Sequence, residues 1–240
     1  MKRFLHILQV PALTCLALLS GCAKDDAWYD STPNGDAEDV TSPSQVSRYS
    51  AIATLFLSDE GVYYLQVDAD TRVYPENFRD LCHTTPDVPC RIVGEMTVYN
   101  RKVDNNAWVG RLEWFDFLEK GPVFTGVGNG KDGVDVLADW MTSLEDGFLT
   151  LHFQTWWGVE PRRHELRLVT GTNPDDPYEL LLVHNANDDP KSYQADALIY
   201  FDIQPYLPKP EDPLHTTVTL KWTDDAGQIQ TRRFPYAGRD

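Results

Sequence analysis

Positive charge is scarce in this chain of 240 residues. Lysine and arginine number 21 against 37 aspartate and glutamate residues, which gives a formal net charge of −16. A surface of this sign repels the phosphate backbone of nucleic acids and the headgroups of anionic lipids. We therefore expect no nucleic-acid partner and no docking of side chains on an anionic membrane. Apolar residues run through most of the chain at 42%, so the acid excess does not indicate disorder.

Catalytic motifs are also missing. The sequence contains no GxSxG, no HExxH and no protein-kinase signature. The run Gly126–Lys131 approaches a phosphate-binding loop, but that motif requires glycine where Thr125 stands and serine or threonine where Asp132 stands. No strong helix pattern follows to supply an N-terminal dipole. We interpret the run as an interdomain linker and predict a protein that is not an enzyme and has no cofactor.

The N-terminal apolar run is too short for a comfortable membrane span. Phe4–Leu19 is interrupted and falls below the about 20 residues that a transmembrane helix needs. It follows Lys2 and Arg3 and ends in Leu19-Ser20-Gly21-Cys22, which resembles a bacterial lipobox. We predict a signal peptide over residues 1–21 and lipid acylation of the cysteine that follows it. The alternative is an ordinary secretory signal in which that cysteine is incidental.

The residues after Cys22 predict where the protein is held. Lys24-Asp25-Asp26 resembles the export signal that sends Bacteroidota lipoproteins to the outer face of the outer membrane, although it also suits a solvated tether. Residues 22–47 are rich in Asp, Ser, Thr, Pro and Gly, which indicates a flexible tether. Removal of the signal peptide takes Lys2 and Arg3 away and changes the formal net charge from −16 to −18. Because so acidic a protein is repelled by anionic lipid, its attachment to the membrane depends on the acyl chains. We expect an outer-membrane, lipid-anchored protein that faces the cell exterior.

Only four cysteines are present. Cys15 leaves with the signal peptide and Cys22 carries lipid, so Cys82 and Cys90 remain on either side of a proline-containing loop. Outside the cytoplasm such a pair is most simply a disulfide, which would stabilise the fold by roughly 2–3 kcal/mol if it is unstrained. The rival interpretation is half of a metal site, and no CxxC spacing supports it.

Strand patterns dominate the mature chain and predict an all-β fold. Residues 48–122 contain four or five strands with a long excursion between them, which predicts a small OB-like barrel. The strand patterns cover Ser50–Leu57, Val62–Asp68, Arg91–Tyr99 and Trp108–Leu118. Residues 75–89 predict a loop or a short helix that carries the cysteine pair.

A glycine-rich break at residues 121–133 separates this domain from a second one, over residues 132–237. Turn signals at short intervals separate its strands, which indicates an antiparallel β-sandwich. The predicted strands are Phe148–Trp156, Arg163–Val169, Tyr178–Asn185, Ala197–Gln204, Thr216–Trp222 and Gln228–Phe234. Residues 134–144 suit either a helix or a strand.

Trp156 and Trp157 are the main candidates for ligand contacts. Neighbouring strand residues face opposite sides of a sheet, so at most one of the two needs to lie in the core. The other would offer a flat aromatic surface to a sugar or to a partner protein. The simpler alternative is that both cover the edges of the core. We place Trp108, Trp114 and Trp140 in the core.

Two groups of residues have the chemistry of metal ligands. His152, His164 and His184 fall on candidate strands and would suit zinc, although lone histidines on strands are usually structural. The oxygen-rich runs 173–177 and 187–189 would suit calcium, but neither has the EF-hand spacing and both are typical of ordinary turns. We predict no bound metal.

Residues 148–236 resemble the C-terminal β-sandwich of NigD-like lipoproteins of Bacteroidota. The resembling segments are FLTLHFQTWWG (148–158), HELRLV (164–169), NPDDP (173–177), LLLVHNAND (180–188), ALIYFDI (197–203) and the closing hairpin 217–236. Residues 49–118 resemble the family's N-terminal OB-like domain more weakly. The resemblance implies a fold and no established activity. The family's name comes from a bacteriocin gene cluster, which suggests immunity by association alone.

These features together predict a non-catalytic, surface-anchored lipoprotein that acts as a binding module for a protein or peptide, with bacteriocin immunity as one possible form. The alternative is a carbohydrate-binding lipoprotein of a glycan-utilisation system, with Trp156 and Trp157 at the ligand.

Overall fold

The computed structural model describes residues 47–128, 130, 132–212 and 215–239. They belong to one compact unit and are almost entirely β-structure, so the predicted all-β fold is confirmed. Within these ranges, no helix has the length and apolar composition needed to cross a bilayer. The predicted signal peptide, Cys22 and the tether up to residue 46 lie outside the described residues.

Five strands close into a barrel. They are β1 (Ser47–Leu57), β2 (Tyr63–Gln66), β3 (Arg72–Pro75), β4 (Cys90–Asp104) and β5 (Ala107–Phe117). Pairing runs in the order β1-β2-β3-β5-β4 and returns to β1, which confirms the OB-like barrel. A one-turn helix, α1 (Phe78–Leu81), lies in the predicted excursion, whereas the short strand β3 is absent from the sequence prediction.

Alternation of side chains along the strands fills the barrel. Leu55, Leu65, Val73, Ile92 and Leu112 come from all five strands, and each is at most 1% exposed. Because successive residues face opposite sides of a strand, this inner row leaves the intervening residues to the outer surface.

Two further sheets form a sandwich. The first consists of β6 (Glu119–Lys120), β8 (Asp135–Val136), β9 (Ser143–Glu145), β10 (Phe148–Trp157) and β13 (Tyr193–Asp202). The second consists of β7 (Val123–Thr125), β11 (Glu165–Thr170), β12 (Glu179–Asn185), β14 (Thr217–Thr223) and β15 (Ile229–Pro235). Leucines of both sheets, such as Leu151 and Leu168, share one buried core, which confirms the sandwich. Most pairs are antiparallel, but β6–β13, β7–β11 and β12–β14 are parallel.

The segment between the two predicted domains contains part of the sandwich. The strand β7 pairs with β11, and Val123 lies in the sandwich core. Residues 134–144 form neither a long helix nor a long strand: the short strands β8 and β9 flank a turn. Strands of two or three residues are too short to show a periodic pattern in the sequence.

Gly128 and Gly130 of the glycine-rich segment lie against side chains of the second sheet. A Cβ on Gly128 would lie 2.9 Å from Val183 Cγ2 and 3.0 Å from Leu181 Cδ2. A Cβ on Gly133 would lie 2.1 Å from the carbonyl oxygen of Asp224. These glycines therefore permit close approach of two chain segments, which gives the phosphate-loop-like pattern a packing explanation.

Arg91 joins the barrel to the sandwich. This β4 side chain is fully buried and donates to Thr54 Oγ1 of the barrel (2.9 Å), and to Thr150 Oγ1 (3.2 Å) and Glu145 Oε2 (2.7 Å) of the sandwich. Thr54 in turn donates to Asp146 Oδ2 (2.7 Å). A charged hydrogen-bond network thus fills the junction between the two parts.

The turn between β9 and β10 positions this network. Asp146 and Gly147 both have positive φ, 49° and 69°, as a two-residue hairpin turn requires. Phe148 follows directly, is fully buried, and packs with Tyr200 into the core of the barrel. The hairpin therefore fastens the sandwich to the end of the barrel.

Candidate functional site

Trp156 and Trp157 lie on opposite faces of β10, as strand alternation requires. Trp157 is 4% exposed, its ring centroid lies 4.0 Å from that of His164, and its Nε1–H donates to Ala195 O (3.3 Å). Trp156 is half-buried on the outer face, and its Nε1–H donates to the Asp225 carboxylate. Of the predicted pair, Trp156 is the side chain that a ligand can reach.

Trp114 and Trp140 are exposed, so their predicted place in the core is wrong; Trp108 is half-buried. The cause at Trp114 is a β-bulge, since the pairing of β4 with β5 shifts register between Glu95 and Met96. One extra residue of β5 turns Trp114 to the outer face beside Glu95. Simple alternation from the sequence would have pointed it inward.

Trp140 lies in the turn between β8 and β9 and is 58% exposed. Asp139 closes this turn, because its carbonyl accepts Thr142 N–H (3.2 Å) and its Oδ1 accepts Met141 N–H (3.0 Å). The hydroxyl oxygen of Thr142 also accepts the N–H of His152 on β10 (3.0 Å). Hydrogen bonds within the turn and to β10 therefore fix the backbone from which Trp140 extends.

His152 fastens the same turn to two strands. Its Nδ1 lies 2.5 Å from Asp139 Oδ2 and its Nε2 lies 2.9 Å from Asp196 Oδ2 on β13. Arg232 of β15 adds a bond to Leu137 O (3.2 Å). Both nitrogens of His152 are engaged by carboxylates, so this histidine positions the turn.

A second polar cluster is closed inside the sandwich. His164 Nε2–H donates to Asp189 Oδ2 (3.1 Å), and His184 Nδ1–H donates to Gly133 O (2.8 Å). The facing nitrogens of the two rings are 3.0 Å apart. The side chains of His164 and Asp189 are 1% and 0% exposed, so a substrate does not reach them.

Burial governs the charge of this cluster. It lowers the pKa of both His164 and His184, which disfavours the charged form of each ring. Burial opposes ionisation of Asp189 as well, but hydrogen bonds from Gly158 N–H and from His164 outweigh it and keep the pKa of that carboxyl below its usual value. The cluster is a buried hydrogen-bond network. It joins His164, directly before β11, to His184 of β12 and to Asp189 in the loop after β12.

The oxygen-rich loops use their side chains to fix turns. Asn173 Oδ1 accepts Asp175 N–H (3.1 Å), and Asp176 Oδ1 accepts Tyr178 N–H (3.0 Å). Across the described ranges, no group of three or more His, Cys, Asp or Glu side chains is arranged to hold a metal ion.

Cys82 and Cys90 are both buried, and both are free thiols in this structure. Cys82 Sγ–H donates to Thr84 O (3.3 Å). Burial raises the pKa of the Cys90 thiol to about 11, so this thiol is not a nucleophilic thiolate at neutral pH. The disulfide stays a prediction.

Aromatic rings also line the outside of the barrel. Phe56, Tyr64 and Tyr74 form a row across β1, β2 and β3, with centroids 5.3 and 5.7 Å apart and planes inclined by 16° and 34°. The Phe56–Tyr64 pair is stacked, and the guanidinium carbon of Arg72 lies over the Tyr64 ring, 5.4 Å from its centroid. The row stabilises cross-strand pairing and is poorly shaped for stacking on a sugar.

A cleft of about 370 Å³ lies beside β6, lined by Lys120, Gly121, Pro122, Val123, Asp202, Pro205 and Tyr206. Its carboxylate, Asp202, already accepts from Lys120 Nζ (3.4 Å) and from Arg239 Nη2 (2.7 Å). These ion pairs account for the charged groups of the cleft, so we place the candidate site at the exposed Trp140 turn instead.

Comparison with known proteins identifies the sandwich. Residues 120–236 match the family model described as the NigD-like C-terminal beta sandwich domain, which confirms the resemblance predicted from the sequence. Among proteins with curated descriptions, none matches the chain.

Solved structures from Bacteroides species share the fold. A protein of unknown function from Bacteroides vulgatus has a TM-score of 0.63 at 18% identity, with 79% of this chain and 91% of that chain covered. A NigD-like immunity protein from Bacteroides caccae has a TM-score of 0.54 at 17% sequence identity, with 77% of this chain and 91% of that chain covered. A protein from Bacteroides fragilis that is described as a candidate lipoprotein has a TM-score of 0.57 at 11% sequence identity, with 81% of this chain and 100% of that chain covered. At these identities the likeness shows the fold alone.

Proposed function

We propose that this chain, which belongs to the NigD-like family through residues 120–236, is a non-catalytic binding module. It holds a protein partner at the outer surface of the cell. Binding without catalysis agrees with the burial of the cluster formed by His164, His184 and Asp189. That cluster is enclosed in the sandwich, where a substrate has no access.

The proposed anchor is lipid on Cys22. It is supported by the lipobox-like run Leu19–Cys22 and by the similar structure from Bacteroides fragilis that is described as a candidate lipoprotein. Two or more acyl chains hold a protein stably on a membrane, at about 0.8 kcal/mol for each buried methylene. The run Lys24-Asp25-Asp26, which resembles an export signal of surface lipoproteins, motivates the exterior orientation.

One observation carries the proposed binding role, namely the exposed Trp140 on its braced turn. Tryptophan is enriched among the few residues that dominate protein interfaces, because its large apolar ring gains most from leaving water. A turn already fixed by Asp139 and Thr142 loses little further freedom on binding. Immunity, which the Bacteroides caccae structure carries in its name, is one activity that such binding would serve.

Cross-linking on intact cells tests this proposal. Cells that express the tagged full chain are treated with a cross-linker, and captured proteins are identified by mass spectrometry. We expect one protein to be captured by the wild type and by Trp114→Ala, and to fall about tenfold or more with Trp140→Ala. Trp114→Ala is the matched control because Trp114 is also an exposed tryptophan.

A Cys22→Ala chain tests the anchor in the same experiment. It is expected to leave the membrane fraction and to lose the partner. Equal capture by the wild type and Trp140→Ala would contradict the binding role, and membrane retention of Cys22→Ala would contradict the lipid anchor.

A carbohydrate ligand is the second candidate, favoured by the outer face of β10. Trp156 lies there opposite Gln194, with Gln154 on the same face, a combination of ring and amides that suits sugar hydroxyls. On a glycan array, Trp156→Ala is expected to remove at least 80% of the signal of the full chain, about one order of magnitude in affinity, while Trp114→Ala keeps it. No wild-type signal, or equal signals from both variants, would exclude this candidate.

A further inference from the structure

We infer that the Trp140 turn takes a lysine or arginine side chain of the partner protein, with the Trp140 ring beneath the cation and the carboxylates of Asp139 and Asp196 beside it. This inference rests on the proposed function and names the chemistry of the partner's contact.

The exposed ring of Trp140 suits a cation. Tryptophan has the most favourable aromatic face for a cation, and arginine is its most frequent partner in proteins. Trp140 is 58% exposed and belongs to a turn whose backbone is fixed by bonds to Asp139 and Thr142. The ring is therefore presented to solvent by a rigid support, as an interface anchor requires.

Two carboxylates are associated with the Trp140 turn. Asp139 directly precedes Trp140, and His152 links Asp139 to Asp196 through contacts of 2.5 and 2.9 Å. Their side chains keep exposures of 33% and 52%, so both remain in contact with solvent. The two carboxylates share the one imidazole of His152, and the guanidinium of Arg232 bonds to the backbone carbonyls of Leu137 and Thr142 in the same turn.

The charge of the whole chain also favours a cationic partner. A formal charge of −16 attracts a cationic surface from a distance and repels an anionic one. Local and long-range charge thus favour the same kind of partner. An acidic segment would instead bring charge of the same sign against Asp139 and Asp196.

Trp114 shows what the Trp140 turn has that another exposed tryptophan lacks. The acid beside Trp114 is Glu95, which accepts Trp114 Nε1–H (3.3 Å) and is already paired with Arg48. That single carboxylate is paired with a guanidinium of its own, whereas Asp139 and Asp196 share one imidazole. Trp114 therefore serves as the matched control for Trp140.

Fluorescence anisotropy with synthetic probes tests the inference. The full chain, purified in a nonionic detergent, is titrated into fluorescein-labelled octapeptides of alternating alanine and arginine, alanine and glutamate, or alanine and serine. We expect binding of the arginine peptide alone, weakened about fivefold to tenfold by Trp140→Ala and about threefold by Asp196→Asn. Trp114→Ala is expected to bind as the wild type does. Raising NaCl from 50 to 200 mM is expected to weaken wild-type binding several-fold.

Each result decides the inference separately from the proposed function. Arginine-peptide binding that needs Trp140 supports it, with circular dichroism confirming that each variant is folded. It is overturned if the arginine peptide does not bind, if the glutamate peptide binds equally, or if Trp114→Ala and Trp140→Ala weaken binding alike. When cell-surface capture still requires Trp140 in such a case, the binding module stands and its partner is not cationic at this contact.

Discussion

Replacing Arg91 with methionine is expected to lower the free energy of unfolding by about 3 kcal/mol. The guanidinium is fully buried, and its removal leaves the buried hydroxyls of Thr54 and Thr150 without their donor. Glu145 loses its ion pair as well, although its side chain is 35% exposed and regains water. For that reason we expect a loss near the lower end of the 3–5 kcal/mol typical of broken buried pairs.

Urea unfolding of the full chain, followed by circular dichroism, measures this effect. Arg48→Ala is the control, because Arg48 pairs with Glu95 on the surface, where water and salt screen the pair and it contributes little to stability. A second variant, Arg91→Lys, is expected to recover part of the stability, since lysine restores the charge without the planar fork. A loss below about 1 kcal/mol for Arg91→Met would show that the network does not hold the barrel to the sandwich.

Replacing Gly133 with alanine is expected to destabilise the protein by about 2–3 kcal/mol. The added Cβ would lie 2.1 Å from Asp224 O and 2.7 Å from Asp225 Cα, and both are backbone atoms that cannot rotate away. The turn between β14 and β15 would have to shift. Because Asp225 in that turn accepts from Trp156 and Lys191, the shift would disturb the outer end of β10 too.

Gly130→Ala, three residues earlier in the same segment, is the matched control. Its Cβ would meet Val183 Cγ1 at 3.1 Å, a side-chain atom that can move by a few tenths of an ångström. We expect a change within about 0.5 kcal/mol for this variant. Comparable thermal unfolding of the two variants would contradict the close approach of Gly133 to the hairpin.

The long strands were predictable because their side chains alternate over many residues. The patterns at Phe148–Trp156 and Arg91–Tyr99 correspond to β10 and β4 within a few residues at each end. Short strands such as β8 depend on partners distant in sequence, and two residues hold no period. The Asp146-Gly147 pair is different, because it is a strong hairpin signal that could have located the turn after β9.

The candidate site was less predictable, because it depends on register and on contacts distant in sequence. A single bulge in β5 reverses the direction of Trp114, and composition carries no sign of it. The turn at Trp140 is fixed by His152 and Asp196, which lie 13 and 44 residues from their partners in the chain. By contrast, the opposite orientations of Trp156 and Trp157 follow from alternation, which the sequence already contains.

The comparison of Trp140→Ala with Trp114→Ala in cross-linked cells tests the central claim most directly. We expect that the capture of a single partner, seen with the wild type and with Trp114→Ala, falls about tenfold or more with Trp140→Ala while all three proteins reach the membrane in equal amounts. Undiminished capture by Trp140→Ala, or an equal loss with Trp114→Ala, would contradict a binding module that acts through the Trp140 turn.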